Sequence, residues 1–133
     1  MPSTMSPSHQ RYLISAAILA GLAVAFGAFA AHGLKPVLAP SMLAAFNTGA
    51  EYQMTHSLGL LITAWIASQH PNNPWFTRAM GLFVIGIVLF SGSLYIMSLS
   101  GISQLGMITP IGGLSLLGAW ACLAFAFYKI SKN

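Results

Sequence analysis

Glu51, Tyr52 and His56 stand close together in "NTGAEYQMTHSLGLLITAW" (Asn47 to Trp65), and Glu51 is the only acidic residue of the chain. Side chains of these types can do three kinds of work. A carboxylate near a histidine can relay protons, because histidine titrates close to neutral pH. A carboxylate with two histidines, here His32 and His56, can hold a metal ion. A carboxylate facing an ammonium group, here Lys35, can lock two helices together. The metal reading lacks support, since His32 and His56 fall in different segments without paired-ligand spacing, and no metal site is assigned. No nucleophile–base pair, paired carboxylates or phosphate-binding loop is visible. The chain is therefore not read as an enzyme, and no catalytic residue and no cofactor are assigned.

Which chemistry applies depends on the medium. The chain has 133 residues, 56% of them hydrophobic and only 5% charged, against roughly 25% charged in a soluble domain. Five basic residues and one acid cannot cover a soluble surface of this size, so the bilayer is the expected solvent and first partner. The formal net charge of +4 does not indicate nucleic acid. Arg11, Lys35, Arg78, Lys129 and Lys132 are scattered singly near segment ends, which anchors helices and neutralises no row of phosphates. Cys122 is alone, which excludes an intrachain disulfide.

A spanning helix needs about 20 mostly apolar residues. Four stretches qualify, at 12–32, 51–69, 76–99 and 110–128, and they predict an all-α integral membrane four-helix bundle in a single domain, 1–133. Pro36 and Pro40, "HPNNP" at His70 to Pro74, and "SGISQLG" at Ser100 to Gly106 separate them. Thr109 is expected to cap the fourth helix ahead of Pro110. Ala28-Phe29-Ala30 also fits a signal-peptide cleavage site, but the apolar run before it exceeds the usual 7–15 residues. Ser41 can cap a short interfacial helix over 41–50, or that segment can run on into the second span. Arg11, Arg78, Lys129 and Lys132 fall on one side of an even-numbered topology, so the positive-inside rule places both termini in the cytoplasm.

In lipid, helices associate through close approach and hydrogen bonds. Ala17, Gly21 and Ala25 recur every fourth residue in the first span, as do Gly118, Cys122 and Ala126 in the fourth, and both stripes are expected at contacts. Ser91, Tyr95 and Ser98 share one face of the third span, bonding their own backbone or a neighbouring helix. In the second span Glu51, Tyr52, Thr55, His56, Gly59 and Thr63 fit one arc, expected to face the bundle, with Met54, Leu61, Ala64 and Ser68 facing lipid. The favoured site is then a lock at the outer ends of spans one and two. Glu51 pairs with Lys35 or His32 there, and Tyr52, His56 and Tyr95 bond inside.

Four blocks carry a family likeness: "GAFAAHGL" (Gly27 to Leu34), "NTGAEYQMTHSLGLL" (Asn47 to Leu61), "VLFSGSLYIMSLSG" (Val88 to Gly101) and "GMITPIGGLSLLGAW" (Gly106 to Trp120). Together they resemble the YgdD/YwdK group, the uncharacterised family 423 of small bacterial inner-membrane proteins, over nearly the whole chain. His32, Glu51, Tyr52, Gln53, His56, Ser91, Gly92, Ser93, Tyr95, Thr109 and Pro110 match its motif positions. The resemblance implies a four-helix integral protein of the inner membrane and implies no activity. The expected function is structural or accessory, to the membrane or to a partner complex, with a homo-oligomer or a membrane-protein partner. The alternative is a small oligomeric transporter or channel using a polar site around Glu51 and His56.

Overall fold

Proline stands first or second in every long helix of the computed structural model, which describes residues 4–131. The fixed φ of proline suits a first turn, where its missing N–H is not needed. Helix α1 (Pro7–Phe29) closes in a π-helical turn (Ala30–Leu34). Helix α2 is Pro40–Gln69, α3 is Pro74–Ser100, and α4 is Thr109–Ile130, preceded by a 3-10 turn (Ser103–Met107). Gly101 ends α3 with φ 75°, the left-handed conformation that glycine adopts without a steric penalty. Lys132, used above for orientation, lies outside the described residues.

The starts differ from expectation in two places. Helix α2 begins at Pro40, so residues 41–50 are its first turns and form no separate interfacial helix. Its N-cap is Ala39, and Ser41 caps nothing. Thr109 does not cap α4 either. Its hydroxyl instead meets Ser93 Oγ at 2.6 Å, tying α4 to α3.

Helices α2 and α3 form the central pair. Helix α1 packs on α2 and α4 on α3, while α1 and α4 occupy opposite corners. The corners still touch the far member of the central pair. Phe26 of α1 lies edge-on to Tyr95 of α3 with ring centroids 5.0 Å apart. Trp120 of α4 reaches the Gly59 position of α2. Small residues set these spacings, as expected where close approach replaces hydrophobic burial as the driving force. Gly112 of α4 lies on the backbone of Phe90, and Gly86 of α3 lies under Leu116.

The face of α1 is another correction. Its contact residues are Ala16, Ala23 and Ala30, all buried, whereas Ala17, Gly21 and Ala25 are exposed. Nothing lies within 4 Å of a Cβ placed on Gly21. The contact stripe of α1 thus recurs every seven residues, two helical turns, and not every four. On α4 the predicted stripe fares better: Ala126 is buried, and Gly118 and Cys122 are half-buried.

Outward faces carry Ile14, Ile18, Val24, Ile62, Ile85, Val88, Leu114 and Leu117, all exposed. A soluble protein would form aggregates through such a surface, and a bilayer solvates it. Helices α1, α3 and α4 are long and apolar enough to cross a membrane.

Candidate functional site

The polar residues of α2 divide between an inner and an outer face. Inside, Gln53 is 3% exposed and bridges three helices. Its Nε2 donates to the Leu19 carbonyl of α1 at 2.8 Å, and its Oε1 accepts from Tyr95 Oη of α3 at 2.7 Å. One turn up, Ser91 Oγ donates to the Gly49 carbonyl at 2.7 Å. The Tyr95 ring fills the space between, 4.8 Å from Phe46 and 5.0 Å from Phe26. Gly49 permits this approach, since a Cβ there would stand 2.8 Å from the Tyr95 ring. Ser98 bonds its own helix at Leu94.

His56 lies lower on the inner face, 7% exposed, among aromatic rings. Its Nδ1 is 2.7 Å from the Tyr52 carbonyl oxygen. A carbonyl only accepts, so Nδ1 carries a proton and donates it. Phe83 and Trp120 flank it at 6.1 and 6.0 Å, and the Tyr52 ring stacks on it at 5.6 Å. Among the described residues, no buried side-chain nitrogen or oxygen lacks a hydrogen-bond partner. No three His, Cys, Asp or Glu side chains converge on a metal-sized site there.

The expected lock is not assembled. Glu51, His32 and Lys35 are all exposed. Among the described residues Glu51 makes no ion pair or hydrogen bond. The cause is the early start of α2. Glu51 stands eleven residues into the helix, about 16 Å below Pro40, while Lys35 lies beyond the end of α1, near the level of Pro40. The helical wheel is half right: His56, Gly59 and Thr63, assigned to the bundle, are buried. Ala64, assigned to lipid, is buried, while Glu51 and Thr55, assigned to the bundle, are exposed, and Tyr52 keeps only its ring face against Phe90 at 4.4 Å. Small residues (Gly49, Ala50, Ser57, Gly59, Ala64) face the neighbours because they let backbones close. Polarity did not set the face. A double-mutant cycle of Glu51→Gln with Lys35→Met should therefore give a coupling indistinguishable from zero in thermal unfolding. Measurable coupling would restore the ion pair.

Two residues are central to the geometry: Gln53 stood out in the sequence only as a family-motif position, and Trp120 not at all. A span drawn from Glu51 puts Gln53 in its first turn. With α2 drawn from Pro40 it is near the middle, where an amide needs internal partners.

Comparison with known proteins agrees with this architecture. Residues 26–113 match the family described as "Protein of unknown function (DUF423)". The chain is 44% identical over 118 residues to the UPF0382 membrane protein YwdK of Bacillus subtilis, covering 89% of this chain and 96% of that protein. It is 40% identical over 119 residues to a UPF0382 membrane protein of Haemophilus influenzae, covering 90% and 94%. It is 38% identical over 121 residues to the UPF0382 inner membrane protein YgdD of Escherichia coli K12, covering 91% and 92%. No solved structure matches the fold of the chain.

Proposed function

Since the chain belongs to the DUF423 family of membrane proteins, we propose that it is an accessory four-span protein of the inner membrane that engages a membrane-protein partner through the outward face of α2. One observation carries this reading. Among the described residues every buried side-chain nitrogen and oxygen has a hydrogen-bond partner, whereas Asn47, Glu51 and Thr55 make no side-chain hydrogen bond and form an exposed ridge. A polar ridge within a spanning helix gains from a partner that supplies hydrogen bonds. Charge favours a different protein over a second copy. A two-fold contact through this ridge would bring two carboxylates together, while a basic side chain in a partner helix would complement Glu51.

The four-span topology rests on direction. Helices α1 and α3 are apolar enough to cross, and both run antiparallel to α2 along its length, with contacts from Gln53–Leu19 to His70–Phe76. If both cross in the same sense, α2 must bring the chain back. Its lower hydropathy comes from the inner bridge and the outer ridge. Arg11, Arg78 and Lys129 then lie at one end, supporting cytoplasmic termini.

The test combines topology and capture. Reporters fused before Pro7 and after Asn133 should both read as cytoplasmic. A photo-crosslinking residue at Thr55 should trap a discrete partner in cells, one at Leu114 on α4 should not, and Glu51→Gln should weaken capture from Thr55. Equal capture from both positions, or capture only of a second copy, would reject the partner interface.

A further inference from the structure

At the basic end of the bundle the α2–α3 turn and the end of α4 enclose a recess of about 590 Å³, within the size range of small-ligand sites. Gln69, His70, Asn72, Asn73, Trp75 and Lys129 line it. The turn is held in place. Asn73 Oδ1 accepts from the Trp75 N–H at 3.1 Å, and Asn73 Nδ2 donates to the Ala126 carbonyl at 3.1 Å, fastening the turn to α4. The His70 ring stacks on Phe76 with centroids 5.9 Å apart. The walls are thus ordered while several polar ends make no hydrogen bond, the Lys129 ammonium lying 5.5 Å over the Phe125 ring. The Lys129 ammonium, the Asn72 amide, the Trp75 indole N–H and the His70 ring nitrogens make no hydrogen bond among the described residues.

The charge is of one sign. Lys129 lines the recess, and the Arg78 guanidinium lies 4.3 Å over the Trp75 ring that forms one wall. Glu51, the sole acidic side chain, is about 27 Å away along α2. A recess rich in donors, with a positive field and no opposing acidic side chain among the described residues, fits an anion with several acceptor oxygens. We propose that it binds a phosphate group, either that of an anionic phospholipid headgroup at the rim of the bilayer or a soluble phosphate. The headgroup is the better fit in depth, because Trp75 and Lys129 stand at the end of the spans where indole rings and amines meet headgroups. This site lies at the opposite end of α2 from Asn47 and Glu51 and does not depend on the partner reading.

The purified full-length chain in a neutral detergent would be titrated with short-chain phosphatidylglycerol, short-chain phosphatidylcholine and inorganic phosphate, following the thermal midpoint. Phosphatidylglycerol should raise the midpoint in a saturable way. Lys129→Gln should weaken its apparent affinity by about tenfold or more, as expected for loss of a charge-assisted bond. Lys129→Arg should retain binding, and Lys35→Gln, at the other end, should leave it unchanged. Inorganic phosphate acting with equal affinity and the same Lys129 dependence identifies a soluble ligand. Phosphatidylglycerol acting alone identifies the headgroup. No saturable response to either anion, or a response equal in Lys129→Gln and the unaltered chain, or equal for phosphatidylcholine, overturns the proposal.

Discussion

Gly112→Ala should be among the most disruptive single-methyl changes in this protein, lowering stability by about 1–3 kcal/mol or more. A Cβ at position 112 would stand 2.3 Å from the Phe90 nitrogen, 2.7 Å from its Cα and 2.8 Å from its Cβ. The obstacle is mostly backbone, so no rotamer change can relieve it and the α3–α4 pair must separate. Separation would stretch the Ser93–Thr109 and Ser115–Leu82 bonds that flank the contact. It would also lose the dispersion contacts on which helix association in lipid depends. Gly21→Ala supplies the control, because nothing lies within 4 Å of its added carbon, and a helix gains slightly from alanine. The measurement is thermal unfolding in detergent, with accumulation in membranes as a second readout. A Gly112→Ala protein as stable as Gly21→Ala would mean that α3 and α4 do not meet at Phe90.

Gln53→Leu should produce the next largest loss, about 1–2 kcal/mol. It removes the bond to the Leu19 carbonyl and strands the Tyr95 hydroxyl, which is directed at the Gln53 amide. The Leu19 carbonyl can keep its intrahelical partner, so the hydroxyl carries most of the penalty. Tyr95→Phe alone should cost less, because it removes the hydroxyl and leaves the amide bonded to α1. The double variant should be less destabilised than the sum of the two, since replacing both partners leaves no polar group stranded. Additive losses would show that the two side chains do not bond each other. Hydrogen exchange would add a spatial check, with protection falling on α1 as well as α2 when the bridge is cut.

Much of this could be read in the residues alone. The scarcity of charge required lipid as solvent, and the apolar runs between prolines required four helices. The prolines themselves were half understood. Pro40 and Pro74 read as breakers between spans, whereas each is the first residue of the helix that follows. That difference of function moved the start of α2 by eleven residues and carried Glu51 from an expected helix end to a point well inside the helix. It also explains why Gln53 was given no bonding role and why Lys35 cannot reach Glu51.

Composition and local pattern determined the medium, the number of helices and the small residues available for close contact. Only the tertiary structure decided which small residues are used. Alanine and glycine occur all round α1, so no periodicity in its sequence distinguishes Ala16, Ala23 and Ala30 from Ala17, Gly21 and Ala25. The crossing of α1 on α2 selects the first set. The same holds for α2, whose polar residues lie on both faces. In water, burial would sort such residues by polarity. In a bilayer, closeness of approach sorts them instead, and the partners that decide closeness, Leu19, Phe90 and Tyr95, lie on other helices.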